Sequence, residues 1–372
     1  MPVELPRPDQ VLDRLASRLE VAGPGPLAVL DPLWPPPIRA AAQAELERAE
    51  QAGSLSAGDL VLFTSGATGR ARAVVRTVES WRASLDPLTS LTGLGRDDEV
   101  WLPLPLTSTL SLYGGLHARA VGARTHRGPA LPATATAAHL VPTALERACD
   151  QVDRGEPTSL RVVVVAGAPL APGLRFRAER FGWQVVEYYG AAELSFVGFR
   201  SGSGPMTDFP GAQTRLDDAG VLWVRSPYVC RGYLADDGGG ALQRQGHWAS
   251  VGDRARRAGS GWEVLGRGST AVSTGGHTVL VEEVEGVLAS VPGVLDVAVL
   301  GLPHPDLGQV VAAVVVTQDV VRRRDLEQVV RGLPAAARPR RWLRAQSVPR
   351  TSSGKIRRDQ VARQAQDLPP LP

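Results

Sequence analysis

A chain of 372 residues, 43% hydrophobic and 21% charged, is long enough for roughly two domains with buried cores and too apolar for general disorder. Its longest strongly apolar run, Val310–Val316, is too short for a membrane span, and the first residues carry no export pattern, so a cytoplasmic protein is expected. Cys149 and Cys230 stand alone, which argues against a disulfide framework or a zinc site.

Residues 9–21 and 39–52 have helical periodicity and flank the Pro-rich turn at 31–37. A buried strand at 59–65 runs into a Gly-containing loop. Strand-like runs follow at 99–104, 160–167 and 184–190, with helical stretches around 80–92, 107–121, 143–153 and 172–181. Strands alternating with helices predict an α/β sheet core. Beyond about residue 211 the pattern alternates in β fashion between glycines, as in a smaller β region. From about 276 a second α/β pattern begins: helix VEEVEGVLASV, strands VLDVAVLG and QVVAAVVV, helix RDLEQVVRGL and an Arg-rich tail. A boundary falls near Gly266–Thr270, giving domains 1–267 and 268–372.

Of the 41 basic residues, 40 are Arg and one is Lys, Lys355; Asn is absent and Ile occurs only at Ile38 and Ile356. Arg replaces most surface lysines at little cost, but not a lysine whose compact ammonium acts as a point charge in a tight site. Lys355 is therefore a candidate functional residue on composition alone, against the alternative of chance survival. Charge is also uneven. Residues 322–372 carry 13 basic and 4 acidic side chains, whereas 1–321 carry 28 and 34. Such a segment suits nucleic acid, a polyanionic small molecule or plain solvation. Trp342 is its only aromatic, which disfavours base stacking.

Four segments hold chemistry-bearing residues. LFTSGATGRARAVVR, residues 62–76, presents hydroxyls and glycines directly after a strand, as in a phosphate cradle or an ordinary polar turn; it does not fit GxxxxGK[ST]. EYYGAAELSFVG, residues 187–198, puts an aromatic face and the carboxylate of Glu193 at a strand's C-terminal edge, where open α/β sheets bind ligands. SVGDR and VLGRGSTAVSTGG contain Asp253 and Arg267, a pair suited to sugar hydroxyls or to a turn and a salt bridge. PRTSSGKIRR, residues 349–358, carries the single lysine.

In this order and spacing the segments resemble the adenylate-forming superfamily of AMP-dependent acyl-CoA synthetases, adenylation domains and luciferases, over about residues 58–360. The resemblance implies a large α/β adenylation domain, with a truncated first subdomain and a small β region, followed by a smaller mobile α+β domain. It implies ATP-dependent activation of a carboxylic acid to an acyl-adenylate and transfer to coenzyme A, with Mg²⁺ as cofactor. Thr64, Ser65, Gly66, Thr68 and Gly69 would hold phosphates. Tyr189 would stack on adenine, and Gly167, in a turn beside the nucleotide, and Gly190 would help bind ATP. Glu193 would ligate Mg²⁺, and Asp253 and Arg267 would fix the ribose. Lys355 would sit between carboxylate and α-phosphate. Ser269 would be the hinge, with Gly275 and Gly276 along the pantetheine channel. Coenzyme A, rich in phosphate, would account for the basic tail. Alternative readings are an o-succinylbenzoate–CoA ligase of menaquinone synthesis, which short actinobacterial members resemble, loading of an acyl carrier protein, or a weakly active nucleotide- or nucleic-acid-binding protein.

The chain departs from the family pattern at Ala71, Arg72 and Ala73, where Pro, Lys and Gly are usual, and at Ala192, where Thr is usual. Ser269 replaces an Asp or Lys, and Ser108 a His or aromatic. Only 63 residues precede Thr64, which implies a cut-down first subdomain and an open acyl pocket.

Overall fold

The computed structural model describes residues 2–372 except 22, 24, 35, 66–70, 236–241, 268–271, 275–276, 280, 306, 319–320 and 352–353. At 65, 71, 267, 273, 277, 278 and 308 it describes the backbone alone. The chain divides into two compact units. The first comprises Met1–Leu170, Leu174–Arg215 and Trp223–Val251; the second comprises Ala171–Gly173, Leu216–Leu222 and Gly252–Pro372.

A seven-stranded sheet organises the first unit. Arg124–Arg127, Glu99–Leu102, Ala137–Leu140, Val162–Val165 and Gln184–Ala191 lie parallel in that order, and Ser195–Ser201 and Thr207–Asp208 continue it antiparallel. Val162–Val165 is four valines buried on both faces, as a central parallel strand requires. One face packs on helices Val11–Glu20, Leu85–Thr92 and Thr109–Ala120, the other on Pro142–Asp153 and Pro172–Arg180. The strands Glu99–Leu102, Val162–Val165 and Gln184–Ala191 and these helices fall within a few residues of the expected stretches, whereas Arg124–Arg127, Ala137–Leu140, Ser195–Ser201 and Thr207–Asp208 are not among the strands the sequence pattern predicts. The turn Glu193 occupies follows from the change of direction between Gln184–Ala191 and Ser195–Ser201.

A second sheet joins Leu27–Val29, Asp59–Ser65, Ala71–Thr77 and Gly232–Tyr233, with Pro36–Gln51 over one face. A third, of four short strands, pairs Gln213–Leu216, Leu222–Arg225, Trp248–Ser250 and Gln243–Gln245, which is the small β region expected after residue 211.

The seam between Thr109–Ala120 and the large sheet is polar. Ser111, Gly114 and His117 follow one another at intervals of three along the helix, so they share a face. The His139 ring seats against Gly114, where any Cβ would collide with it, and its centroid lies 5.9 Å from that of His117. His117 Nε2 is 2.9 Å from Thr89 Oγ1. His117 Nδ1, both His139 ring nitrogens and Ser111 Oγ are buried without a hydrogen-bond partner among the described residues. Burial lowers the pKa of His117 to about 4 and of His139 to about 3, in the latter case with repulsion from His117 added.

The second unit opens with the hairpin Asp253–Ala258 and Gly261–Arg267. Its sheet is built on the long hairpin Val294–His304 and Gly308–Thr317, with Val272–Thr274 and His277–Val279 beyond one edge. Val281–Ala289 and Arg323–Val329 pack on one face, Arg358–Gln364 on the other. The segment that composition marks as an Arg-rich tail is folded. Arg341–Arg344 pairs in parallel with Gly308–Thr317, burying Trp342 and Leu343, and Arg358–Gln364 buries Val361. Two buried apolar side chains between arginines suffice for a strand, because the long arginine stems tolerate partial burial.

Candidate active site

In the first unit the site grows from the strand Asp59–Ser65. Thr64 stands half-buried at its C-terminal end and Ser65 is its last residue. Gly66, Thr68 and Gly69 lie outside the described residues. The chain returns as Ala71–Thr77, with Thr64 opposite Arg72 and Asp59 opposite Thr77. Ala73 and Val75 enter the apolar core, so the other parity, Arg72, Val74 and Arg76, faces away from it. Along its free edge this strand takes Gly232–Tyr233 antiparallel, Tyr233 opposite Val74.

Glu193 sits in the turn closed by Gln184–Ala191 and Ser195–Ser201. Tyr188 packs on Phe196 in the core at 4.4 Å between ring centroids, so alternation turns Tyr189 to the opposite face. The register slips between Tyr189 and Gly190, and Ser195 takes φ +57°. A Cβ at Gly190 would stand 1.9 Å from the Ser195 carbonyl oxygen, so only glycine fits there. Gly167 follows the central strand Val162–Val165. Behind the turn, the buried Glu187 is held by Arg175 and Arg200, each at 2.7 Å.

Three contacts fix Glu193. Its backbone oxygen accepts from Cys230 N–H at 2.7 Å, and the Tyr233 hydroxyl donates to its Oε1 at 2.8 Å. The Ala192 carbonyl beside it accepts from Arg76 Nη1 at 2.9 Å. Burial, and then the negative charge of Glu193, push the Tyr233 pKa up, so the phenol stays a donor. Arg72 lies over the Tyr233 ring at 5.2 Å. The other carboxylate oxygen of Glu193 has no hydrogen-bond partner among the described residues, leaving it for an oxygen-seeking cation such as Mg²⁺. Sequence reasoning missed Tyr233 and Arg76. The only available signal was the pair of arginines at one parity in an otherwise apolar run.

In the second unit, Asp253 is buried at the start of the hairpin and is paired in register with Arg267. Lys355 is exposed on a tight turn. Thr351 N–H donates to the Lys355 carbonyl at 2.8 Å, Lys355 N–H to Thr351 Oγ1 at 3.1 Å, and Gly354 turns left-handed at φ +81°. Arg350 anchors the turn, donating to the Gly354 carbonyl at 2.6 Å while pairing with Asp296 at 2.6 Å. On its other side Arg358 pairs with the half-buried Glu285 and donates to the Val299 carbonyl at 2.8 Å. Ser269, Gly275 and Gly276 lie outside the described residues.

The chain matches the AMP-binding enzyme family over residues 22–234 and the AMP-binding enzyme C-terminal domain over 283–355. It belongs to the AMP-binding enzyme family. A salicylyl-CoA synthase / salicylate adenylyltransferase from a Streptomyces species is 31% identical over 80% of this chain and 62% of that protein. A 2-succinylbenzoate–CoA ligase from Bacillus licheniformis is 28% identical over 81% and 69%. The chain thus spans 62% of the length of the first of these relatives. In fold it is similar to the o-succinylbenzoate–CoA synthetase of Bacillus subtilis solved with ATP and magnesium, at TM-score 0.77 and 19% identity over 96% of this chain and 88% of that one. ATP-bound MatB from Rhodopseudomonas palustris gives TM-score 0.76 and 19% identity over 98% and 95%. No helix among the described residues is long and apolar enough to cross a membrane.

Proposed function

We propose that the chain is an AMP-forming acid–thiol ligase that activates a carboxylic acid with ATP and transfers the acyl group to coenzyme A. The observation that carries this is the Glu193 carboxylate, tethered at one oxygen by Tyr233 and backed by the strand that leaves the Ser/Thr/Gly-rich segment. Family membership and two relatives named as a salicylyl-CoA synthase and a 2-succinylbenzoate–CoA ligase support it.

In this reading Thr64, Ser65, Gly66, Thr68 and Gly69 donate to the β- and γ-phosphates, Tyr189 stacks on adenine, Gly167 and Gly190 help bind the nucleotide, and Asp253 and Arg267 hold the ribose. Glu193 would hold Mg²⁺ through a carboxylate oxygen, and the ion, bound with ATP, would offset the charge of the triphosphate. A carboxylate oxygen attacks the α-phosphorus, the bond to pyrophosphate breaks, and Lys355 stabilises the charge that develops. The thiol of coenzyme A, losing its proton, then attacks the acyl carbon and AMP departs. Ser269 serves as the joint between the two steps, Gly275 and Gly276 admit the pantetheine arm, and the arginines near Arg341 hold its phosphates. The location is cytoplasmic, and a carrier-protein thiol is the alternative acceptor.

The test is a panel of carboxylic acids, including salicylate and o-succinylbenzoate, incubated with ATP and Mg²⁺, with and without coenzyme A. Pyrophosphate release with an acid and no coenzyme A, and thioester on its addition, are expected. Absence of acid-dependent pyrophosphate across the panel would overturn the reading. Pyrophosphate without thioester would point to a carrier protein.

A further inference from the structure

Arg76 is 1% exposed, and among the described residues no carboxylate lies within ion-pairing distance of it. Its guanidinium spends its donors on three neutral acceptors: the Ala192 carbonyl at 2.9 Å, the Tyr228 carbonyl, and Ser80 Oγ at 3.2 Å. It also lies over the Trp81 ring at 5.2 Å. A buried charge is expensive unless its hydrogen bonds are met, and a strand position that needed only to be filled would be met by an aliphatic side chain. The two carbonyls are informative. Ala192 is the residue before Glu193, and Tyr228 is two residues before Cys230, whose N–H donates to the Glu193 carbonyl at 2.7 Å. One side chain therefore grips both segments that hold the acid, from the strand that follows the phosphate-loop candidate.

We infer that Arg76 is a positioning residue: by tying the Ala192 carbonyl to the Tyr228 carbonyl, it sets the Glu193 carboxylate at a fixed place relative to the strand Ala71–Thr77. Burial lowers its pKa to about 10, so the guanidinium stays charged at neutral pH. The planar fork matters, because one head must serve two carbonyls on different segments at once, which an ammonium does poorly. The inference rests on the reading of Glu193 as the residue that receives Mg²⁺ with ATP.

The experiment uses the whole chain as wild type, Arg76→Met, Arg76→Lys and Glu193→Gln. ATP binding is measured calorimetrically over a range of MgCl₂ concentrations. Amide hydrogen exchange is followed, in the protein without ATP or Mg²⁺, for peptides covering 189–194 and 226–233. Removing a group that orients a metal ligand costs on the order of 10-fold in metal affinity. Arg76→Met should therefore shift the Mg²⁺ requirement for ATP binding by about that factor, with partial recovery at high MgCl₂, and should speed exchange in both peptides. Arg76→Lys should fall between, and it carries the test if the Met variant does not fold. A role in packing alone would lower the thermal midpoint while leaving the Mg²⁺ dependence unchanged. That result, or wild-type exchange in both peptides of a folded variant, overturns the inference. Wild-type Mg²⁺ dependence in Glu193→Gln would instead overturn the reading of Glu193, and exchange without the cation keeps the two failures apart.

Discussion

The Tyr233 hydroxyl donates to Glu193 Oε1 at 2.8 Å, joining the edge strand of the smaller sheet to the turn at the end of the larger one. The two residues are far apart in sequence, and among the described residues the bond gives the carboxylate one committed oxygen and one open one. A hydrogen bond to a charged group contributes about 1.5–3 kcal/mol. Tyr233→Phe should leave the fold intact and raise the half-saturating Mg²⁺ concentration for pyrophosphate release several-fold. A magnesium titration of the half-reaction checks this, and an unchanged curve would show that Tyr233 does not orient the acid.

Lys355→Ala should abolish adenylate formation from acid and ATP while sparing much of the thioester formation from supplied acyl-adenylate. Lys355→Arg should fail in the same way, since a planar fork does not reproduce a point charge. The two half-reactions, assayed separately, decide it. Full activity in the Arg variant would remove the argument from the residue's uniqueness.

The turn carrying Lys355 is flanked by arginines with different duties. Arg358 faces Glu285, whose pKa burial pushes up against the pull of Arg358, so Arg358→Ala strands a carboxylate only 13% exposed. Breaking a fully buried pair costs about 3–5 kcal/mol, and with Arg358 24% exposed this one should cost part of that. Arg350 and Asp296 are both partly exposed, and such a pair contributes about 1 kcal/mol or less. Urea unfolding should show a large loss of stability for Arg358→Ala and little for Arg350→Ala. Adenylation should fall in both, because Arg350 also holds the Gly354 carbonyl beside the lysine.

The buried histidines set an acid limit. An unfolded chain takes up protons on both rings near pH 6.5, whereas the folded chain holds His117 neutral to about 4 and His139 to about 3. Between these values the unfolded state binds more protons, so stability falls as pH falls, by about 1.4 kcal/mol per pH unit for each ring. His139→Leu should reduce that slope by about one proton's worth. Urea midpoints at pH 7.5, 6 and 5 for wild type and variant test it, and parallel curves would exclude the ring as a source.

What the sequence determined by itself is the alternation of strands and helices, and the residues whose type alone restricts their use. Val162–Val165 reads as a buried strand because four valines in a row leave no polar face. Lys355 is conspicuous because every other basic residue is Arg. Glu193 is readable because an acid after Tyr-Tyr-Gly at a strand's end follows local rules of turn and edge. The tertiary structure decided what holds these residues. Arg76 reaches Ala192 across 116 positions and Tyr233 reaches Glu193 across 40, which no periodicity within a short window registers. Arg341–Arg344 became a strand because Gly308–Thr317 offered an unpaired edge, and composition alone reads that stretch as a solvated tail. The polar seam of Ser111, His117 and His139 is likewise decided in space, since burial of an imidazole depends on which helix face the sheet covers. Local pattern follows from side-chain chemistry within a turn or a pleat, whereas the grip on the acid depends on which distant segments the core brings into contact.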